Sequence, residues 1–122
     1  MVRVWVDNWQ MQCCGTPLRV GVEASFEVLA LDRSFLSPIL GEAVVSAIGW
    51  AEERHGHDEP LHHLSGWVTG IEGAFCRYEL REDGRMYEAV AGSGRTERLE
   101  LTDGYEDARE GDWFMGYIVE IE

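Results

Sequence analysis

The chain has 122 residues, enough for one domain that withdraws roughly two-thirds of its unfolded surface from water and needs no staple to fold. Its 45% hydrophobic and 11% aromatic content excludes a solvated, disordered tail. With 23 acidic residues against 10 basic ones the net charge is -13, a field that repels phosphate backbones and attracts cations and basic proteins.

The first residues do not form a basic segment leading into an apolar run, and no stretch approaches the ~18 apolar residues of a membrane span. A cytoplasmic protein without a membrane partner is therefore expected. Cys13, Cys14 and Cys76 are an odd number of cysteines in a chain that needs no disulfide, so free thiols in a reducing compartment are expected.

In chain order, Val2-Arg3-Val4-Trp5-Val6 alternates and predicts a first strand with the three valines on one face. Thr16-Pro17 breaks the chain. From Arg19 to Leu31, Val20, Val22, Phe26 and Val28 keep a period of two and predict a second strand, kinked near Gly21 and able to pair with the first. Between Ser37 and His55 the period changes: Leu36, Leu40, Val44, Ala47, Ile48 and Ala51 recur at three- and four-residue spacing. Ser37 can cap, Pro38 suits the first helical position and Gly56 can end the helix, so one helix is predicted over about 37–55.

Gly66 to Leu80 reads as a long strand whose glycines permit strong curvature. Asp83-Gly84 and Gly92-Ser93-Gly94 mark turns around a short strand from Met86 to Val90, followed by another from Arg98 to Thr102 and a last one from Trp113 to Glu122. Without repeats or a linker, the chain reads as a single domain over 1–122. The expected class is α+β, mostly β: a strongly bent antiparallel sheet, or a small SH3-like or OB-like partial barrel, with one covering helix.

The run Trp5-Val6-Asp7-Asn8-Trp9-Gln10-Met11-Gln12-Cys13-Cys14-Gly15-Thr16-Pro17 resembles the opening of a family of small acidic actinobacterial proteins classed as a domain of unknown function. Glu52-Glu53-Arg54-His55-Gly56 and Gly66-Trp67-Val68-Thr69-Gly70-Ile71 are similar to its weaker, later signatures. The resemblance implies a shared fold and an actinobacterial or phage source. It implies nothing about chemistry.

Candidate sites therefore rest on the residues themselves. Thiolates and imidazoles bind Zn(II) or Cu(I), and Met11, Cys13 and Cys14 lie in one segment while His55, His57, His62 and His63 lie in another. A two-Cys, two-His site, with Cys13, Cys14, His55 and His57 as ligands, needs the helix end to pack beside the cysteine corner. Against it, extended neighbours diverge and no Cys-x2-Cys spacing exists. The simpler reading is packed, reduced sulfur with one of the two cysteines buried, and Cys76 as a core residue. The acidic field also works against a cysteine nucleophile.

If residues 5–11 stay extended, Trp5, Asp7, Trp9 and Met11 share a face; Trp5 is expected in the core, and Trp9 and Met11 are candidate partner-binding residues. Asp103, Glu106, Asp107, Glu110 and Asp112 read as a solvated acidic run, with a calcium-like or basic-partner site as the functional alternative. The leading expectation is a non-catalytic acidic binding or regulatory module with a basic protein partner, no cofactor and no nucleic acid. The alternatives are a small Zn- or Cu-binding protein using the cysteine corner and the His55–His63 loop, and an acidic nucleic-acid mimic. An enzyme comes last.

Overall fold

A computed structural model describes residues 1–13, 16–53, 61–107 and 111–122. The elements are β1 (Val2–Asp7), α1 (Asn8–Cys13), β2 (Glu23–Ala30), α2 (Ser37–Leu40), α3 (Glu42–Val45), β3 (Trp50–Glu52), β4 (His62–Leu80), β5 (Tyr87–Ala89), β6 (Arg95–Leu99) and β7 (Asp112–Ile121). The protein is mostly β, with short helices and one mixed sheet.

Pairing is antiparallel between β1 and β7, β7 and β4, β4 and β2, and β2 and β3, whereas β3 runs parallel to β1. The hydrogen-bonded neighbours thus return to their start, in the circuit β1–β7–β4–β2–β3–β1. The expected all-antiparallel sheet is corrected to a mixed one, and the second strand meets β3 and β4 instead of the first. Its first four residues are not strand: Arg19 makes an isolated bridge with Leu101, and Val20 to Val22 form a turn and bend before Glu23.

The single helix expected over 37–55 is also corrected. α2 begins at Ser37, so Ser37 is its first residue instead of the expected cap, Leu36 takes the cap position without a side-chain bond and Pro38 follows within the first turn. Gly41 sits at φ 90°, ψ 149°, a conformation outside the helical region that ends α2 and leaves α3 a separate turn. Ile48 remains buried after α3, and at Trp50 the chain enters β3. The three- and four-residue spacing came from two short turns and a strand that all supply core residues. The end of that predicted helix lies in 54–60, outside the described residues.

Both faces of the sheet are covered. On one side Val4 and Val6 of β1, Phe26 and Val28 of β2, and Tyr117, Val119 and Ile121 of β7 gather with Val68 and Ile71 of β4. On the other, Trp5, Ala74, Cys76 and Ile118 pack under Leu36, Ile39, Leu40, Val45 and Ile48 of the helical segment. This two-sided burial explains why Val4 to Val6 and Met115 to Val119 are continuous apolar runs in which neither parity faces water. The odd spacing of Val68 and Ile71 is reconciled by an irregularity: Val68 pairs with Ile121 and Gly70 with Glu120, so Thr69 is an extra residue that resets the alternation. Among the described residues, no helix is long and apolar enough to cross a membrane.

Gly116 stands opposite Asp7 of β1 and Ala74 of β4, where the three strands come closest. A Cβ there would collide with the Val6 carbonyl oxygen and come within 2.9 Å of Trp5 Cζ2. Gly116→Ala is therefore expected to cost about 1–3 kcal/mol by overpacking, read as a lower denaturant midpoint. Gly70→Ala, whose Cβ would meet nothing closer than Glu120 Cβ at 3.8 Å, serves as the control and should shift stability by less than about 0.5 kcal/mol. Equal midpoints for the two variants would show that the close approach at Gly116 is relieved without cost.

Candidate functional site

Residues 8–13 are helical, so the extended stripe of Trp5, Asp7, Trp9 and Met11 does not form. Asn8 Oδ1 accepts the Trp9 N–H at 2.7 Å, a local bond that draws the chain out of β1 into α1. The helix then turns its residues to different tasks. Gln10 is 1% exposed and donates from Nε2 to the Glu52 carbonyl of β3 at 2.8 Å. Met11 is buried in the core, with the Thr102 hydroxyl 3.7 Å from its sulfur. Gln12 Nε2 donates to the Gly104 carbonyl at 2.6 Å. Burial removes Met11 from any partner surface, while Trp9 stays half exposed.

The same stretch of chain from 102 to 106 is fixed from three directions. Thr102 and Leu18 exchange two bonds, Leu18 N–H to Thr102 Oγ1 at 2.8 Å and Thr102 N–H to the Leu18 carbonyl at 2.9 Å. The Gly104 N–H donates to Tyr117 Oη at 2.8 Å, and the Tyr117 hydroxyl donates to Glu106 Oε1 at 3.0 Å. Burial raises the Tyr117 phenol well above its usual range, the Glu106 contact adding to the effect. Burial also raises the Glu106 carboxyl, and the Tyr117 hydrogen bond opposes that rise. Within the acidic run, Asp103 caps the Tyr105 N–H and adjoins Glu106, Glu106 also meets Tyr117, and Asp112 holds Arg95 Nε at 2.9 Å. Glu110 lies outside the described residues.

Of the expected metal ligands, Cys14, His55 and His57 also lie outside the described residues. Cys13 is exposed and disulfide-bonded, which corrects the expected free thiol and occupies its sulfur. His62 stacks at a tilt on Trp50, and His63 Nδ1 stands 3.0 Å from Glu27 Oε1 across the β2–β4 pair. Among the described residues, no three His, Cys, Asp or Glu side chains are grouped to hold a metal ion. Cys76 is fully buried, and burial aided by Asp112 pushes its thiol up to about 11. It is a core residue with no tendency to ionise at neutral pH.

Where β1, β4 and β7 converge near their ends, a recess of about 220 Å³ opens between Trp5, Asp7, Phe35, Tyr78, Trp113 and Phe114. Trp113 pairs with Cys76 and shares with Met115 the face on which Tyr78 packs, while the Phe114 ring turns to the opposite face against Phe75 and Tyr117; Met115 is an extra residue between Phe114, paired with Phe75, and Gly116, paired with Ala74. Tyr78 and Trp113 stand 5.4 Å apart with their rings inclined at 58°, while Phe114 is braced edge-on against Tyr117 at 4.8 Å. Trp5 Nε1 donates to Asp7 Oδ1 at 2.8 Å, and the Asn8 amide donates to the Phe114 carbonyl at 2.9 Å. The walls are therefore anchored from behind, yet Trp113 and Phe35 remain 58% and 59% exposed. Sequence reading missed this site because Phe35, Tyr78 and Trp113 lie on three distant segments and each reads singly as turn or strand.

A protein-family model described as "Family of unknown function (DUF6578)" matches residues 1–122. No curated protein and no solved structure matches the chain.

The Tyr117 knot can be tested directly. Tyr117→Phe orphans the buried Gly104 N–H and should cost about 1–3 kcal/mol in chemical denaturation. The raised Glu106 carboxyl means that folding favours its protonated form, so its stabilising contribution is present below the unfolded pKa and lost as pH rises through the folded one. Stability of wild type relative to Glu106→Gln should consequently improve as pH is lowered through the upper carboxylate range. A gap that stays constant with pH would contradict the shift.

Proposed function

The chain belongs to a family of unknown function over its whole length, and we propose for it the role of a non-catalytic acidic binding module that docks a basic protein partner over the aromatic recess. The observation that carries this reading is the recess itself: half-exposed Trp113 and Phe35 beside the Asp7 carboxylate, on a chain of net charge -13. Large exposed aromatics gathered on a rigid sheet are the residue types that anchor protein interfaces, and a carboxylate at their edge selects a cationic partner. Trp9, 48% exposed and next in sequence to Asn8 of the recess wall, is proposed to widen that contact surface.

The circuit of paired strands supports treating the scaffold as a small partial barrel. Such a scaffold holds the recess walls on rigid elements, which suits recognition without rearrangement. No observation favours the Zn or Cu alternative over this reading, because the sulfur of Cys13 is already bonded.

Titration with a short Arg- and Lys-rich peptide at low salt, followed by tryptophan fluorescence, tests the proposal. Binding is expected to weaken as salt shortens the screening length from ~30 Å at 0.01 M to ~8 Å at 0.15 M, and to fall roughly tenfold in Trp113→Ala. An acidic peptide that binds equally well, or no response at low salt, would overturn it. Duplex DNA should not be retained at physiological salt, where even non-specific binders reach ~10⁻⁴ to 10⁻⁶ M.

A further inference from the structure

The chemistry of the recess narrows what the basic partner inserts there, and this step rests on the reading of a basic partner given above. A volume of about 220 Å³ is below the ~300–1,000 Å³ of cofactor- or drug-sized sites, so one side-chain head group fits and a nucleotide-sized ligand does not. Aromatic residues dominate the lining, and the Tyr78 and Trp113 rings stand 5.4 Å apart with their planes inclined at 58°. A planar guanidinium is best served by stacking flat along a ring face or within a parallel slot. Rings inclined at 58° offer no parallel slot, whereas a rounded cation needs none.

The polar side of the recess points the same way. Asp7 Oδ1 already accepts the Trp5 indole N–H, while its second oxygen accepts no hydrogen bond among the described residues. A guanidinium fork seeks both carboxylate oxygens. An unmethylated ammonium brings three N–H donors and a tight hydration shell, whereas this lining sets one carboxylate among aromatic rings. Methyl groups on the nitrogen remove the donors and most of that hydration but keep the positive charge, which then meets the negative ring faces and Asp7. Among the described residues, no basic side chain lines the recess to compete for that charge.

We propose that the recess receives a methylated ammonium carried on a side chain of the basic partner. Trp113 and Tyr78 supply the inclined walls, Trp5 holds Asp7 in place, and Asp7 supplies the counter-charge.

Calorimetric titrations with three basic peptides that differ at one position, lysine, trimethyllysine or arginine, together with free tetramethylammonium, decide the matter. The trimethyllysine peptide is expected to bind about tenfold tighter than either of the others. That advantage should disappear in Trp113→Ala and in Asp7→Asn, and persist in part in Trp113→Phe, which keeps an aromatic wall and controls for folding. Equal affinity for the three peptides, or strongest binding of arginine, would overturn the methylated-ammonium assignment and leave the basic-partner reading standing. Failure of all three peptides to bind would overturn both. Tetramethylammonium binding as tightly as the trimethyllysine peptide would overturn the protein-borne source.

Discussion

The structure depends on one strand. β4 runs for 19 residues and hydrogen-bonds to β2, β5, β6 and β7, so it contributes two neighbouring links of the strand circuit and the pairings with β5 and β6. Closing the circuit requires β4 to bend between its β2-paired start and its β7-paired middle. Two features meet that demand. The extra residue at Thr69 breaks the alternation, and glycine at 66 lets the backbone run against the chain end, where an added Cβ would stand 2.5 Å from the Glu122 carbonyl oxygen. Trp67 and Glu122 then exchange paired backbone bonds at 2.8 and 2.9 Å, tying the last residue of the chain into the circuit.

Closure leaves the space around α1 to be filled, and the segment from Trp9 to Gln12 fills it. Three consecutive side chains reach three different elements: Gln10 the backbone of β3, Met11 the core and Thr102, Gln12 the backbone at Gly104. Gly104 in turn takes φ 88° where it meets Gln12, a conformation that favours glycine, and its N–H rests on the Tyr117 hydroxyl. A set of side-chain bonds of this kind, buried at Gln10 and Met11, favours one arrangement of the segments it joins. Glutamine suits it because its long, neutral amide crosses a gap and bonds a backbone group without bringing a charge into the core.

The recess is a consequence of the same geometry at the opposite end of β7. Trp113 and Phe114 point to opposite faces of the strand, Trp113 toward Tyr78 and Phe114 toward Phe75 and Tyr117, and both border the opening at the start of β7. Phe114 is held against Phe75 and Tyr117, which connects the recess wall to the Tyr117 knot. Arg95 secures the mouth of β7 by bonding Asp112 and Glu97 while its guanidinium lies 4.5 Å from the Phe75 ring centre. Arg95 is thereby paired with two carboxylates beside the start of β7.

The sequence by itself determined the element types where one periodicity ran without interruption. The alternation of Val2 to Val6, the glycine-punctuated run through 66–80 and the apolar run from Trp113 onward all became strands, because burying one or both faces of an extended chain needs only local pattern. Pro38 likewise marked a helix start. What followed it was decided by tertiary structure: the 3.6-like spacing through Ala51 satisfied one buried face equally well as two short turns and a strand, and the slot between β1 and β2 selected the latter by offering Trp50 to Glu52 backbone partners on both sides. The adjacent cysteines, conspicuous in the sequence, carried little of the site, since metal spacing is a property of convergence in space. The aromatic recess joins residues 5, 35, 78 and 113, and no local pattern encodes it, because only the pairing of β1, β4 and β7 and the packing of the turn at Phe35 bring those side chains together.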